Sequence, residues 1–383
     1  LDSFRPDAQF QDTSWQDRQS HLANIELQYR NKEGSINSRL DYQVASELQS
    51  SREQVYVFIG NNLGNFRFDS TLAEYVPDPL GDFVLVLRQT GEFESVIRLE
   101  AGWQLQFRPK PITTIASTFR KTLSRFSGSS YIKVEEQSRE DNIWDIYLLN
   151  LSKFHNAASS LRGVYLLNQD LYYNERNPDW GVLLRSRYRD NISNQFIASS
   201  NNETRIIWER LLQVRKRFFK RKLNVTAEYT NNFNKRFVSA SPTRNRNVLS
   251  QGIAGKFNFR PTVSWQFQLD IERGFELDRN SNSQLEVNVW DIRPQISWSL
   301  RGKARATANT TFIQVQEVAN PFSLPIPFEL GKGKKIGNSW LWNLRFEYFI
   351  SANVTINANY SGSDDAGALR TIHLGKAEVR AFF

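Results

Sequence analysis

The chain has 383 residues, a formal charge of +9, 13% aromatic side chains, no Cys and no Met. Without Cys there is neither a disulfide framework nor a Cys-based metal or redox centre, and so aromatic a composition excludes a disordered chain. Mean hydropathy is −0.53 and no apolar run approaches the ~20 residues of a membrane helix; this excludes helical spans but not a barrel, whose lumen-facing residues lower the mean.

Residues 1–19 are polar and aperiodic and read as an N-terminal arm. Alternation then begins, with Ala23, Ile25, Leu27 and Tyr29 on one side and Asn24, Glu26 and Gln28 on the other. Such a period of two marks a strand with one apolar and one polar face. A turn at Asn31-Lys32-Glu33-Gly34 leads to a return strand carrying Ile36, Leu40, Tyr42 and Val44. Residues 47–94 break the rhythm and read as a loop or plug insert, with turn clusters at 61–66 and 75–83. Asp69, Glu74, Asp78 and Asp82 there offer oxygen ligands of the kind Ca²⁺ takes, but the spacing is not that of an EF-hand. Asp beside Pro and Gly is ordinary turn chemistry, so no metal site is assigned. Alternation resumes over Ile97, Leu99, Ala101, Trp103, Leu105 and Phe107. A second insert is expected at 124–158, with short strands at Tyr131 to Gln137 and Ile143 to Leu149.

From about residue 159 the pattern is nearly unbroken, with strands expected at 159–170, 180–190, 205–214, 223–232, 251–260, 262–273, 284–300, 303–315, 338–350, 353–361 and 372–383. Each is about ten residues, enough to cross a bilayer core at ~45° tilt. Short connections (31–35, 174–179, 215–222, 260–261, 301–302, 351–352) alternate with long polar ones (191–204, 233–250, 274–283, 316–337, 362–371). Short turns on one side and long loops on the other are the habit of outer-membrane barrels. The reading is therefore an all-β, transmembrane antiparallel barrel of about fourteen strands (twelve to sixteen), spanning 20–383. An odd count would place the first strand's start on the outer side and imply a strand upstream. The start at Leu1 likewise suggests a mature or excised chain.

The last strand ends Val379-Arg380-Ala381-Phe382-Phe383. Val379, Ala381 and Phe383 form the apolar set of a barrel-closing strand whose aromatic end sits in the interfacial girdle and is read by the insertion machinery. Its direction places Phe383 at the periplasmic rim near Phe259 and Phe349, with either the strand near 21–30 or a strand outside this chain as closing partner. Outward sets such as Leu223, Val225, Ala227, Tyr229 and Val354, Ile356, Ala358, Tyr360 carry no charge. Charge falls on the other set, which puts Arg39, Arg98, Arg185, Arg187, Arg305, Arg345 and Arg380 in the lumen. These arginines either favour anions, as charged rings do in pores, or pair with Glu26, Glu100, Glu228, Glu347 and Glu378 and fill the barrel. Arg210 sits on an apolar face, and a bulge is expected near Trp290-Asp291.

A basic composition raises nucleic-acid binding, but Lys and Arg lie at alternate strand positions and in turns, with no RNP or zinc-finger signature. The run 215–222 reads as a basic turn at a membrane surface. The three histidines, His21, His155 and His373, show no metal-ligand spacing, and HExxH, P-loop and GxSxG are absent. A lipase using His373 is the nearest enzyme hypothesis and has no nucleophile motif behind it. Gly331 and Gly333 read as loop glycines, so no cofactor is expected.

The segment Tyr75-Val76-Pro77-Asp78-Pro79-Leu80-Gly81-Asp82-Phe83, the run Tyr131-Ile132-Lys133-Val134-Glu135-Glu136 and the ending Ala377 to Phe383 resemble the C-terminal barrel regions of large uncharacterised outer-membrane proteins of Bacteroidota-like bacteria. More distantly they resemble the giant barrel of the type IX secretion translocon. The resemblance implies a Gram-negative outer membrane, lipid and insertion-machinery contacts, and secretion or surface partner proteins. It transfers no functional residue, and the chain is far shorter than the translocon barrel. The expected function is a non-enzymatic pore or transport/secretion component, with a surface or adhesive protein anchored by its barrel as the alternative.

Overall fold

The computed structural model describes residues 2–4, 18–20, 22–61, 63–70, 74–110, 118–140, 142–156, 158–194, 203–239, 245–280, 284–321, 326–351 and 353–381. In the N-terminal arm, β1 (Asp2–Phe4) pairs with β2 (Arg18–Ser20). There follow β3 (Leu22–Arg30), β4 (Ile36–Phe58), β5 (Gly64–Asp69), β6 (Glu74–Gly81), β7 (Phe83–Phe107), helix α1 (Thr118–Leu123), β8 (Phe126–Ser138), helix α2 (Ile143–Tyr147), β9 (Ser160–Tyr173) and β10 (Trp180–Ser193). The remainder is β11 (Glu203–Phe218), β12 (Leu223–Val238), β13 (Arg246–Phe259), β14 (Trp265–Asp278), β15 (Glu286–Leu300), β16 (Ala304–Ala319), β17 (Gly337–Phe349), β18 (Val354–Asp364) and β19 (Ile372–Ala381).

Strands β3 to β19 form a closed barrel, antiparallel from each strand to the next, with β19 followed round the ring by β3. Because β4 and β7 also pair directly along their length, the wall proper has fifteen strands, and β5 and β6 are an excursion from it. An odd count leaves β3 and β19 running the same way at the seam. Both are exposed along almost their whole length there. Closure is the requirement of hydrocarbon, where no backbone N–H or C=O can be left without a partner.

One rim carries the short connections 31–35, 174–179, 219–222, 260–264, 301–303 and 350–353. The other carries the long ones, and β19 ends at the short-turn rim with Phe259 and Phe349. Phe382 and Phe383 lie outside the described residues. One departure is 108–125, a long connection with α1 on the short-turn side.

Two regions differ from their sequence patterns. Residues 47–94 are not a separate insert: β4 and β7 run on through them as 23- and 25-residue strands. Beyond Ala45 and Ile97, where pairing with β3 and β8 stops, the two stay paired with each other out to Phe58 and Phe83, where Phe83 also meets Phe66 of β5. At ~3.3 Å per residue this ribbon projects about 40 Å from the long-loop rim. The β5–β6 hairpin caps its tip with an aromatic cluster in which Tyr56 stacks on Tyr75 at 4.1 Å and touches Phe66 edge-on at 5.2 Å. Residues 126–138 are wall strand β8, and Ile143–Tyr147 is helical. A short apolar run fits either period; off the wall, with no strand beside it, its backbone bonds close locally.

Followed from strand to strand, the register is continuous across Trp290 and Asp291, and the shift lies between Glu286 and Val287. Aromatic residues mark two levels of the outward face, eight residues apart on three strands: Trp180 and Tyr188, Trp298 and Trp290, Tyr348 and Trp340. These are the two interfacial girdles of a spanning barrel. Between them most outward residues are apolar, but one register row carries Ser38, Ser130, Gln169, Ser186 and Arg210; the Arg210 guanidinium lies 4.2 Å over the Trp208 ring and donates to Asn231 Oδ1 at 3.1 Å. It thus keeps its charge solvated along an aromatic surface.

Among the described residues, buried apolar side chains gather into two clusters, on opposite faces of the wall. Val248, Val287, Val289, Ile313 and Val315 pack around Leu330 on the inner face. Val44, Ile97 and Leu99 pack against Ile146 and Phe154 on the outer face.

Candidate functional site: a loop held inside the barrel

The inner face of β14 carries Asp270, Glu272, Glu276 and Asp278 at a period of two. On β15, Asp291 lies directly opposite Glu272 and Arg293 opposite Asp270. Above them, Val287, Val289, Ile313 and Val315 leave an apolar patch on the inner wall. A patch of that kind inside an aqueous lumen calls for a cover, and the β16–β17 connection, 320–336, supplies it. Leu330 is fully buried there, with Ile326 packed beside it.

The backbone then makes a tight turn in which Gly331, Lys332 and Gly333 all have left-handed φ values, 63°, 54° and 73°. A Cβ on Gly331 would lie 3.2 Å from the Val315 side chain, so close approach as well as φ requires glycine at this position. The turn is anchored by charge. Lys332 Nζ donates to Glu272 Oε2 and to Asp291 Oδ2, each at 2.6 Å. Gly331 N–H donates to Glu276 Oε2 at 2.7 Å. Asp291 is 1% exposed and also accepts from Arg293 Nε at 2.9 Å. An isolated carboxylate so buried would be costly; two cations and their hydrogen bonds compensate it. The same loop is tied to the neighbouring 365–371 connection, since Lys334 Nζ donates to Asp365 Oδ1 at 2.5 Å, and Ala366 N–H of that connection donates to Ser339 Oγ on β17 at 3.0 Å. Lys332 meets Glu272 and Asp291 about halfway down their strands. The arrangement holds a loop against the inner wall through contacts that are mostly ionic.

The register puts all seven arginines read from the sequence on the face opposite the apolar set, but it does not bring them together. Arg39 contacts Glu26 at 3.3 Å and Asp41 at 3.0 Å. Arg98 reaches Glu47 at 3.7 Å. Arg185 is bidentate on Asp170, at 2.7 and 2.9 Å. Arg345 contacts Glu347 at 2.6 Å and Arg380 contacts Glu378 at 2.8 Å. Arg305 lies 5.7 Å over the Phe349 ring, and Arg187 lies directly opposite Glu209. Glu100 and Glu228 are taken by lysines, Lys133 at 2.6 Å and Lys256 at 2.8 Å. Much of the basic face is locally neutralised.

His373 is outward-facing, hydrogen-bonded through Nδ1 to the Tyr360 hydroxyl at 2.8 Å and close to the Trp342 ring. Asp78, from the acidic turn segment, pairs with Arg67 at 3.2 Å. Among the described residues no group of three or more His, Asp or Glu side chains is arranged to hold a metal. Val379, on β19, is exposed on the outward face, and its strand neighbour Ala381 pairs with Val354.

Sequence reasoning missed Lys332, Glu272 and Asp291. Two signals were present: four carboxylates on one face of one strand, interrupted by Gly274, and Gly331-Lys332-Gly333-Lys334-Lys335 in a long connection.

No protein-family model and no curated protein matches the chain. Among solved structures it is similar to CdiB from Acinetobacter baumannii, at 9% identity and a TM-score of 0.37, over 89% of this chain and 60% of that one. It is also similar to the FrpB iron transporter from Neisseria meningitidis, F3-3 variant, at 9% identity and a TM-score of 0.39, over 90% of this chain and 59% of that one. The chain thus spans about 60% of the length of these proteins. The fold stands on its own strand order.

Proposed function

We propose that the protein is a non-enzymatic pore or transport/secretion component in the outer membrane of a Gram-negative bacterium, with a resting opening set by the 320–336 loop. The observation that carries this reading is the ionic docking of Lys332 on Glu272 and Asp291 inside the barrel. A barrel that serves only as an anchor has no need of a loop drawn into its lumen and held by a charge that costs free energy to bury. Ion pairs of this kind let a loop stay in place at rest and leave when a partner or cargo competes for the same carboxylates. Lipid and the insertion machinery are the partners any such barrel requires, and secretion or surface proteins are the further class.

A second reading, a surface or adhesive protein anchored by its barrel, draws support from the ribbon of β4 and β7 with its aromatic tip. Planar-bilayer recordings separate the two. A pore with a docked loop shows low or intermittent conductance that rises in Lys332→Ala and in a variant lacking 326–334. A barrel that stays non-conducting in both variants is an anchor.

A further inference from the structure

The connection between β8 and β9, residues 139–159, goes the opposite way from the 320–336 loop. It carries α2 and folds down the outside of the wall. Ile146 and Phe154 are buried against Val44, Ile97 and Leu99, with Tyr42, Ala101, Val134 and Tyr165 around them. Tyr42 donates its hydroxyl proton to Tyr147 O at 2.7 Å, and the His155 ring stacks on Tyr165 at 4.0 Å. All these wall residues belong to the outward set.

The flap's own far side is apolar too. Trp144 is 66% exposed, Leu148 75% and Leu151 55%. In water three large apolar groups so exposed on one short segment would be unfavourable. Their level on the barrel says what covers them. The register row through Leu40, Trp103, Ile132, Leu167, Tyr188 and Trp208 holds the upper aromatic girdle on this side. The flap rests on the next rows up, through Ala101, Val134 and Tyr165. At the other end, Phe126 and Tyr173 mark the short-turn girdle, with ring centroids 4.9 Å apart. Only eight residues of β8, 126–133, separate that end from the flap, and a strand needs about 9–11 to cross the hydrocarbon. The top of the lipid layer must therefore reach the flap.

We propose that the 139–159 flap is an interfacial lipid-contact element, with Trp144, Leu148 and Leu151 seated at the headgroup–acyl boundary of the leaflet on the long-loop side. The flap also sheathes Glu136 and Asp190, two carboxylates on the outward face. His155 N–H donates to Glu136 Oε2 at 3.3 Å and His155 Nδ1 lies 3.6 Å from Asp190. Lipid contact holds the cover in place over charges that hydrocarbon would not accept.

The Cys-free chain allows single-site labelling. Leu148→Cys is labelled with an environment-sensitive fluorophore and reconstituted in phosphatidylcholine vesicles, some with acyl chains brominated near the headgroup. Leu344→Cys, on the outward wall, is the lipid-exposed reference, and Leu63→Cys, on the distal hairpin, is the water-exposed one. Folding is checked for each by heat-modifiable migration. The expected result is that the Leu148 probe is quenched by brominated lipid at least half as strongly as the Leu344 probe and is shielded from aqueous iodide. Quenching by iodide at the Leu63 level, with none from brominated lipid, places the flap in water, free for a protein partner, and overturns the proposal. Trp144→Cys, labelled in the same way, repeats the measurement if the Leu148 probe disturbs the flap.

Discussion

Lys332 holds a left-handed backbone that costs an L-residue roughly 1–2 kcal/mol, and its φ of 54° is maintained while its ammonium bridges two carboxylates. Removing the ammonium leaves Asp291 with Arg293 and Glu272 without its cation. Lys332→Ala is expected to cost about 1–3 kcal/mol of local stability, concentrated in the loop. Since one or two kcal/mol shifts a two-state ratio roughly 5–30-fold, open-channel occupancy should rise by a similar factor in bilayer recordings. Lys332→Arg, which keeps the charge, should leave occupancy within about twofold of the parent. On the outer face, Gly163 allows the His155 ring and the Glu136 carboxylate to approach the β9 backbone. Gly163→Val places a side chain in that space. The expected outcome is faster hydrogen exchange over 139–159 with the wall strands unchanged, measured by mass spectrometry. Slow exchange in the flap would show that it tolerates the side chain by shifting as a unit.

At the level of elements, the β5–β6 hairpin pairs with itself and with the ends of β4 and β7, far from the fifteen-strand wall. Replacing 61–81 by a short Gly/Asn turn should leave the barrel's heat-modifiable transition within about 2 °C, because none of the buried wall contacts is touched. A large drop would mean that the hairpin folds back on the rim. The strands after residue 159 were legible because lipid on one side and water on the other enforce a period of two. Residues 47–94 obscured their continuity for the same reason. Outside the bilayer β4 and β7 have no lipid face, so alternation lapses although pairing persists. The Ile143–Tyr147 run showed its apolar content but not its helical form.

The whole molecule sets two loops on opposite sides of one wall, one drawn into the lumen by charge and one laid on the outside by apolar contact. Withdrawal of the inner loop takes Lys332 and Lys334 from the pore and frees Glu272 and Asp291. Deletion of 326–334 is therefore expected to shift the reversal potential toward cation preference under a tenfold salt gradient. An unchanged potential would place the selectivity elsewhere on the inner face, with the arginines of β10 as the first suspects.

By itself the sequence determined the barrel, the direction of its strands and the sorting of charge from apolar surface. These depend on alternation and connection length, which are properties of short stretches of chain. The pairing of Lys332 with Glu272 and Asp291 and the flap over Glu136 were decided only in three dimensions. Each joins residues far apart in the chain, and no local period records whether a long loop turns into the lumen or out over the wall. That choice follows from the packing surface left on the wall beside each loop: acidic with an apolar shelf at β14 to β16, apolar around the buried Glu136 at β4 and β7 to β9.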